Sequence, residues 1–220
     1  MIGIKDDTDH SNIKNFVKKV GKLGHSKAEK AQSRERILAA ASTRIRETGL
    51  ESITVGELMK SVNLTHGGFY GHFESRSDLI AAALERALAD SEKTVASHVG
   101  KSDTASIKSI VNSYLSPAHR DHPGTGCAIS AVAGEVGRAD PQVRAIMMSQ
   151  LDRSIEVIAS AIGVPEFAEQ FAEAAWATMI GAITISRVFA GEKRADQVLA
   201  SARRAILDLE ILYKAKAEAA

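Results

Sequence analysis

The chain has 220 residues, of which 45% are hydrophobic and 25% charged, and its formal net charge is +1. This composition is typical of an ordinary globular protein that can bury a core, and it excludes a disordered or fibrous chain. The single cysteine, Cys127, excludes a disulfide-stabilised scaffold.

The apolar stretches are too short for a membrane protein. The longest uncharged one, Ala174–Ser186, falls short of the roughly 20 residues that a membrane-spanning helix needs. Residues 1–10 contain acidic side chains and no apolar core, which is unlike a secretory signal. We therefore expect a cytoplasmic protein without a membrane partner.

The N-terminal segment, residues 1–31, is rich in lysine and poor in apolar residues, which predicts a flexible basic arm. Residues 1–46 hold 11 basic and 5 acidic side chains, whereas residues 47–90 hold 3 basic and 7 acidic ones. The small net charge therefore conceals a basic portion that can attract a polyanion. Two interpretations of the arm stay open, a segment that lies along DNA and a disordered tail.

The rest of the sequence predicts an all-α fold. Proline is absent before Pro117, and no run alternates apolar and polar residues as a half-buried strand would. Apolar residues at helical spacing predict a first helix from Gln32 to Gly49. We expect an N-terminal domain of three helices at residues 32–90 and a C-terminal helical domain at residues 91–220.

Capping patterns divide the N-terminal domain into helices. Thr54–Glu57 has the Thr-x-x-Glu pattern of a capping box, which predicts the start of a short helix. Thr65 can cap a second short helix over His66–Phe73, and Ser75–Asp78 repeats the capping pattern before a long helix. Two short helices joined by a tight turn have helix-turn-helix dimensions, although a plain helical corner has the same spacing.

The C-terminal domain is expected to contain five further helices. Asp140–Pro141 is an N-cap followed by proline in the first helical position, and Gly163 is a typical helix-ending residue. The predicted helices cover about residues 102–115, 127–138, 140–162, 165–190 and 194–216, with a Pro/Gly-rich loop before the second of them.

Residues Thr65–Phe73 have the pattern Thr-x-Gly-x-Phe-Tyr-x-His-Phe, followed by Arg76 and Leu79. This pattern resembles the DNA-binding domain of the TetR family of transcriptional regulators, and the resemblance covers about residues 32–88. Leu58, Leu64, Phe69 and Phe73 are spaced to form the small core that fixes the angle between the two short helices. The resemblance implies a homodimer that binds a palindromic double-stranded DNA operator and is released by a small molecule bound in the C-terminal domain.

The predicted DNA contacts follow from the same motif. Threonines at helix N-termini can offer donors to phosphate oxygens, although capping alone also explains them. Tyr70 and His72 resemble the family's phosphate-contacting pair, Arg76 can pair with a phosphate, and a buried structural role is the alternative for His72. The full predicted set is Lys30, Arg34, Thr54, Thr65, His66, Gly67, Gly68, Tyr70, His72 and Arg76.

The glycines of the second short helix depart from the commoner family pattern. Gly68 and Gly71 stand where many relatives carry side chains large enough to touch base edges. Direct base readout is therefore expected to be sparse, with DNA shape and the arm contributing. The glycines can instead permit close backbone approach to phosphates, and the sequence leaves both interpretations open.

The last two predicted helices carry wide apolar stripes. The resemblance implies that they pair with their copies in a second chain, and an intramolecular core is the alternative. The predicted dimer interface comprises Phe167, Ile180, Ile183, Val198, Ala202, Ile206, Leu209 and Tyr213.

Methionines, aromatic residues and the cysteine supply the predicted effector site, because adaptable apolar side chains suit a ligand cavity. Cys127, which follows Gly126 at a helix start, is a candidate thiol sensor of oxidants or electrophiles, with a buried inert cysteine as the alternative. His119 and His122 have metal-ligating side chains, but a solvated loop is favoured there, so no metal or other cofactor is predicted. The predicted effector residues are Tyr114, Cys127, Met148, Phe171 and Trp176, for most of which core packing is the alternative.

The leading hypothesis is a ligand-responsive DNA-binding repressor. A regulator without a small-molecule effector and a helical small-molecule-binding protein are the alternatives. No nucleophile–base pair or phosphate-binding loop with credible spacing is present, so the chain is not expected to be an enzyme.

Overall fold

The computed structural model describes residues 27–99 and 106–219. These residues form α-helices and short 3-10 helices and contain no strand, which confirms the predicted all-α class. The α-helices are α1 (Lys27–Thr48), α2 (Val55–Ser61), α3 (Arg76–Val99), α4 (Ile107–Tyr114), α5 (Pro117–Asp121), α6 (Ala128–Val136), α7 (Pro141–Ile162), α8 (Ala168–Val188) and α9 (Lys193–Glu218). The 3-10 helices are His66–Gly71, Pro123–Thr125 and Pro165–Phe167.

Helix α1 begins at Lys27 and so includes the last residues of the predicted arm. Residues 1–26 lie outside the described residues, and the prediction of a flexible arm concerns them. The chain divides into two compact units, with the boundary after Arg36. Up to Arg36, the described side chains are exposed or half-buried, and Arg36 donates to the Ser33 hydroxyl at 3.3 Å.

The helix-turn-helix has the small apolar core that the motif predicts. Leu58 and Phe69 are 1% exposed and Phe73 is 2% exposed, while Leu64 is half-buried against the same core. The rings of Phe69 and Phe73 stack with their centroids 5.6 Å apart. Burial of these side chains fixes the angle between α2 and the His66–Gly71 segment.

Two of the three predicted helix caps form, and one does not. The Thr65 hydroxyl accepts from the Gly68 N–H at 3.3 Å, and the Ser75 hydroxyl accepts from the Asp78 N–H at 3.0 Å. Thr54 is the N-cap of α2 but its side chain makes no capping hydrogen bond, so the predicted capping box is wrong there.

Glu57 fails to complete the predicted box because it pairs with α1 instead. A guanidinium N–H of Arg44 donates to the Glu57 carboxylate at 2.8 Å. Glu57 therefore forms an ion pair with another helix instead of a capping bond within its own first turn. Local spacing in the sequence cannot reveal such a partner.

The second short helix is a 3-10 helix that ends at Gly71, whereas the sequence predicted a helix up to Phe73. Three of its six residues are glycines, which favour a helix less than other residues do because they lose more backbone freedom on folding. The tighter 3-10 turn is common in such short pieces.

Helix α4 begins at Ile107, later than the predicted start near residue 102, whereas the other predicted C-terminal helices begin and end close to the predicted positions. The Asp140 carboxylate accepts from the Gln142 N–H at 3.1 Å, and Gly163 ends α7 with a φ of +75°, a left-handed conformation that favours glycine. The predicted Pro/Gly-rich loop also contains α5 and the Pro123–Thr125 turn. Helix α8 packs against both α7 and α9, and side chains of all three belong to a continuous core.

Buried hydrogen bonds tie the helix-turn-helix to the C-terminal helices. Arg46 is 7% exposed and donates to the Gly124 carbonyl at 2.6 Å and to the Ala87 carbonyl at 3.3 Å. The Leu50 N–H donates to the Glu135 carboxylate at 2.9 Å. The end of α1 is therefore held by the segment that leads into α6.

Among the described residues, none of the helices combines the length and the apolar character that crossing a membrane would require.

Candidate nucleic-acid interface and buried polar cluster

The His66–Gly71 segment presents one face to solvent because its opposite face is anchored in the core. Phe69 is 1% exposed, whereas the next residue, Tyr70, is 69% exposed. With three residues per turn, Gly67 lies in line with Tyr70 and Gly68 lies in line with Gly71. The outward face therefore consists of bare backbone beside one large aromatic ring.

Neighbouring rings hold Tyr70 in place. Its ring meets Phe69 edge to face at a centroid distance of 5.2 Å and meets His66 in the same manner at 6.5 Å. Such contacts orient an aromatic ring while leaving its surface available. Tyr70 and the exposed His66 are thus positioned to touch a partner of this face.

The two threonines predicted to contact phosphate differ in their local bonding. Thr65 uses its hydroxyl to cap the 3-10 helix, while Thr54 makes no capping bond and is exposed. Both stand at helix starts, where backbone N–H groups favour an anion. His72 is half-buried, with its ring Nδ1 buried and its backbone N–H donating to the Phe69 carbonyl at 2.8 Å.

Arg76 makes hydrogen bonds to backbone carbonyls that the motif did not indicate. Its Nε–H donates to the Ile53 carbonyl at 2.8 Å, and its terminal N–H group donates to the Leu50 carbonyl at 3.1 Å. These carbonyls belong to the connection between α1 and α2. The guanidinium therefore holds that connection, a role different from the predicted phosphate contact.

Lys30 and Arg34 lie in the part of α1 before the division at Arg36, with Lys30 exposed and Arg34 half-buried. Their contact with DNA stays a prediction.

Three of the five predicted effector residues form a buried cluster in the C-terminal domain. The Tyr114 ring lies 5.0 Å from the Trp176 ring, centroid to centroid, and the Cys127 thiol is a polar neighbour of the Tyr114 hydroxyl. Tyr114 is 6% exposed and Trp176 is 8% exposed, yet the Tyr114 O–H and the Trp176 Nε1–H have no hydrogen-bond partner among the described residues. Two unused donors inside a protein are costly, and a bound acceptor would relieve that cost.

His119 joins this cluster to the loop that Arg46 contacts. Its Nε2 accepts from the Cys127 N–H at 3.0 Å, so that nitrogen carries no proton, and Nδ1–H donates to the Tyr114 carbonyl at 2.7 Å. Burial lowers the pKa of the imidazole, which agrees with this neutral form. The sequence offered no signal for this role, because the acceptors and donors are backbone groups.

The phenol of Tyr114 is also neutral. Burial raises its pKa well above the ordinary value, and the nearby Cys127 thiol raises it further. The hydroxyl therefore keeps its proton and can serve as a donor.

The remaining predicted effector residues lie elsewhere. Met148 is 58% exposed on α7, and Phe171 is fully buried against Tyr213, with ring centroids 6.1 Å apart. An open groove of about 390 Å³ lies between α3 and α7. None of the predicted effector residues lines it.

The predicted dimer residues are buried to different extents. Ile183 and Ile206 are at most 1% exposed within the single chain, and Ala202 and Tyr213 are also buried. The other four, Phe167, Ile180, Val198 and Leu209, are half-buried. The exposed apolar side chains of the last two helices are instead Ile185, Val188, Ile211 and Leu212.

Residues 37–83, which contain the helix-turn-helix just described, match the family model for bacterial regulatory proteins of the tetR family. This segment therefore carries the helix-turn-helix signature of the tetR family. A segment of 65 residues is 35% identical to the HTH-type transcriptional repressor BepR of Brucella suis biovar 1 (strain 1330). That match covers 30% of this chain and 31% of the relative.

Solved structures with the same fold cover most of the chain. A TetR transcriptional regulator from Chloroflexus aurantiacus has a TM-score of 0.70 at 22% identity, covering 81% of this chain and 94% of that one. The reduced form of E. coli NemR has a TM-score of 0.66 at 20% identity, covering 80% and 95%. These TM-scores show that the chain shares the fold of both structures. The names of the relatives agree with the prediction of a regulator and not an enzyme.

We predict that Arg76→Ala lowers the free energy of unfolding by about 1–3 kcal/mol, because two backbone carbonyls lose their donor. Urea denaturation measures the change, and Arg138→Ala, an exposed arginine after α6, is the matched control with little expected effect. If Arg76→Ala leaves the stability unchanged but abolishes DNA binding, Arg76 contacts phosphate as the motif predicts.

Proposed function

We propose that the chain is a transcriptional repressor that binds a palindromic double-stranded DNA operator as a homodimer and is released by a small-molecule effector. The observation that carries this proposal is the anchored His66–Gly71 segment, whose exposed face lies within the family-matched residues. A protein that acts on bacterial operators works in the cytoplasm, which is the location that we infer.

The DNA contact is supported by charge as well as shape. Helix α1 contains 6 basic and 3 acidic residues, and four of the basic ones, Lys27, Lys30, Arg34 and Arg36, precede the buried part of the helix and can attract phosphates. Thr54 and Thr65 stand at helix starts that favour phosphate, and Tyr70 projects from the 3-10 segment. Phosphate contacts would position the chain and the outward face would enter the major groove.

We predict that Tyr70→Ala weakens DNA binding about tenfold, because the one large side chain of the outward face is lost. The binding partner is a duplex selected from random sequence by the wild-type chain, and fluorescence anisotropy measures Kd. Met148→Ala, which truncates a side chain of similar exposure on α7, is the control and should leave Kd unchanged. Equal binding by the wild type and the Tyr70 variant would remove the 3-10 segment from the interface.

The dimer proposal rests on an exposed apolar surface of α8 and α9. Ile185 and Val188 on α8 are 51% and 80% exposed, and Ile211 and Leu212 on α9 are 67% and 50% exposed. A second copy of the chain is the natural cover, because a palindromic operator requires a two-fold partner. The predicted interface residues Ile183 and Ile206 would then support this surface from inside the chain.

We predict that Leu212→Glu converts the dimer to a monomer at micromolar concentration, because a buried interface cannot accommodate two unpaired carboxylates. Sedimentation equilibrium measures the mass. Val157→Glu changes an equally exposed apolar residue on α7 and should leave the dimer intact. A dimeric Leu212→Glu chain would locate the interface elsewhere.

The effector proposal rests on the Tyr114–Cys127–Trp176 cluster. Its two unpartnered donors fit a small molecule with acceptor oxygens, and the adjacent thiol fits an electrophilic one. The bond from the Cys127 N–H to His119 and the bond from Arg46 to Gly124 lie close together in the chain. A ligand at Cys127 would therefore disturb the segment that holds α1.

We predict that N-ethylmaleimide, an electrophile with two acceptor oxygens, releases bound DNA and changes the emission of Trp176. Cys127 and Trp176 are the sole cysteine and the sole tryptophan, so both signals have one origin. Cys127→Ser keeps the size of the side chain and should abolish both changes. A wild-type chain that is alkylated at Cys127 yet keeps its DNA would show that this cluster does not control binding.

A further inference from the structure

Gly67 and Gly71 are glycines that the fold of the chain does not require. Neither has a positive φ, because the positive-φ glycines among the described residues are Gly49, Gly163 and Gly191. A Cβ built on either residue would find no other atom of the described residues within 4 Å. An alanine would therefore fit both positions without strain.

Two other glycines of the chain have evident structural reasons. Gly49 has a φ of +87°, and a Cβ there would collide with the Glu135 carboxylate. A Cβ on Gly68 would lie 3.4 Å from the Thr65 hydroxyl and 3.8 Å from the end of Met59, so packing explains part of its small size. Within the part of the chain that the structure describes, Gly67 and Gly71 lack any such neighbour.

Gly67 and Gly71 are exposed on the outward face, Gly67 one turn before Tyr70 and Gly71 directly after it in the chain. Glycine in a helical segment is unfavourable relative to alanine, since the unfolded chain loses more freedom when it folds. Gly134, Gly137 and Gly181 are equally free of neighbours, so it is the place of Gly67 and Gly71 on the outward face beside Tyr70 that indicates a need for space outside the chain. Close approach of backbone to a ligand is one of the few such needs.

We infer that Gly67 and Gly71 determine specificity in the DNA contact by letting the backbone of the 3-10 segment touch the duplex directly. This inference rests on the proposed function. A methyl group at either position would collide with DNA and with nothing in the described part of the protein. The surface selects a duplex whose groove shape fits bare backbone beside the Tyr70 ring, rather than one read by many base-specific side chains.

An alanine at either position should raise thermal stability and weaken DNA binding. A merely structural role of the glycine would not combine these two changes. Gly67→Ala and Gly71→Ala should each raise Tm by about 1–4 °C, because the unfolded state loses freedom and the folded state gains no clash. Each should also weaken binding of the selected duplex about tenfold, as expected for a methyl group forced into a packed contact.

Gly134→Ala is the matched control. Gly134 lies in α6, is exposed, has an ordinary φ and has no atom of the described residues within 4 Å of its built Cβ. Its alanine variant should gain stability in the same way and bind the duplex like the wild type. Thermal unfolding and fluorescence anisotropy on the same samples provide both readouts.

Three outcomes would overturn the inference. Wild-type affinity of both alanine variants would show that the duplex does not approach these positions. A lowered Tm in both variants would show that the fold does require these glycines. A wild-type chain that binds no duplex at all would refute the proposed function together with the inference, which distinguishes that failure from the other two.

Discussion

The burial of Phe69 is the constraint on which the functional surface depends. Because this ring is fixed in the core against Phe73, the six-residue 3-10 segment is held in one orientation, with His66, Gly67, Tyr70 and Gly71 exposed. The segment is too short and too rich in glycine to hold its shape alone. Packing against the core therefore stabilises this segment. Arg76 adds to that stability by donating to carbonyls of the connection between α1 and α2.

Local signals in the sequence predicted the elements well, and tertiary contacts decided the exceptions. Thr65 and Asp140 cap their helices as their positions indicated, because a cap involves only neighbours in the chain. Glu57 does not complete its capping box and Arg76 has backbone partners that its motif did not indicate, since each is bound to a residue more than ten positions away. Spacing within a motif carries no information about such partners.

Three of the predicted effector residues lie together, and their contact with an effector stays a prediction. Tyr114, Cys127 and Trp176 come together because α4, α6 and α8 all contribute to one core, whereas Met148 faces solvent on α7. Residue type indicates which side chains suit a ligand. It does not indicate whether a side chain lies on the buried or the exposed face of its helix. The role of His119 is invisible in the sequence because its bonds are to backbone groups.

The bonds at the end of α1 have a consequence for how the chain can be divided. Arg46 and Leu50 belong to the DNA-binding half in sequence, yet their partners Gly124 and Glu135 belong to the other half. Excision of the helix-turn-helix at residue 90 would remove one of the two carbonyls that accept from Arg46 and the carboxylate that accepts from the Leu50 N–H. From Ile37 onward the chain should therefore melt as one cooperative unit, so that its two roles share a single folding equilibrium.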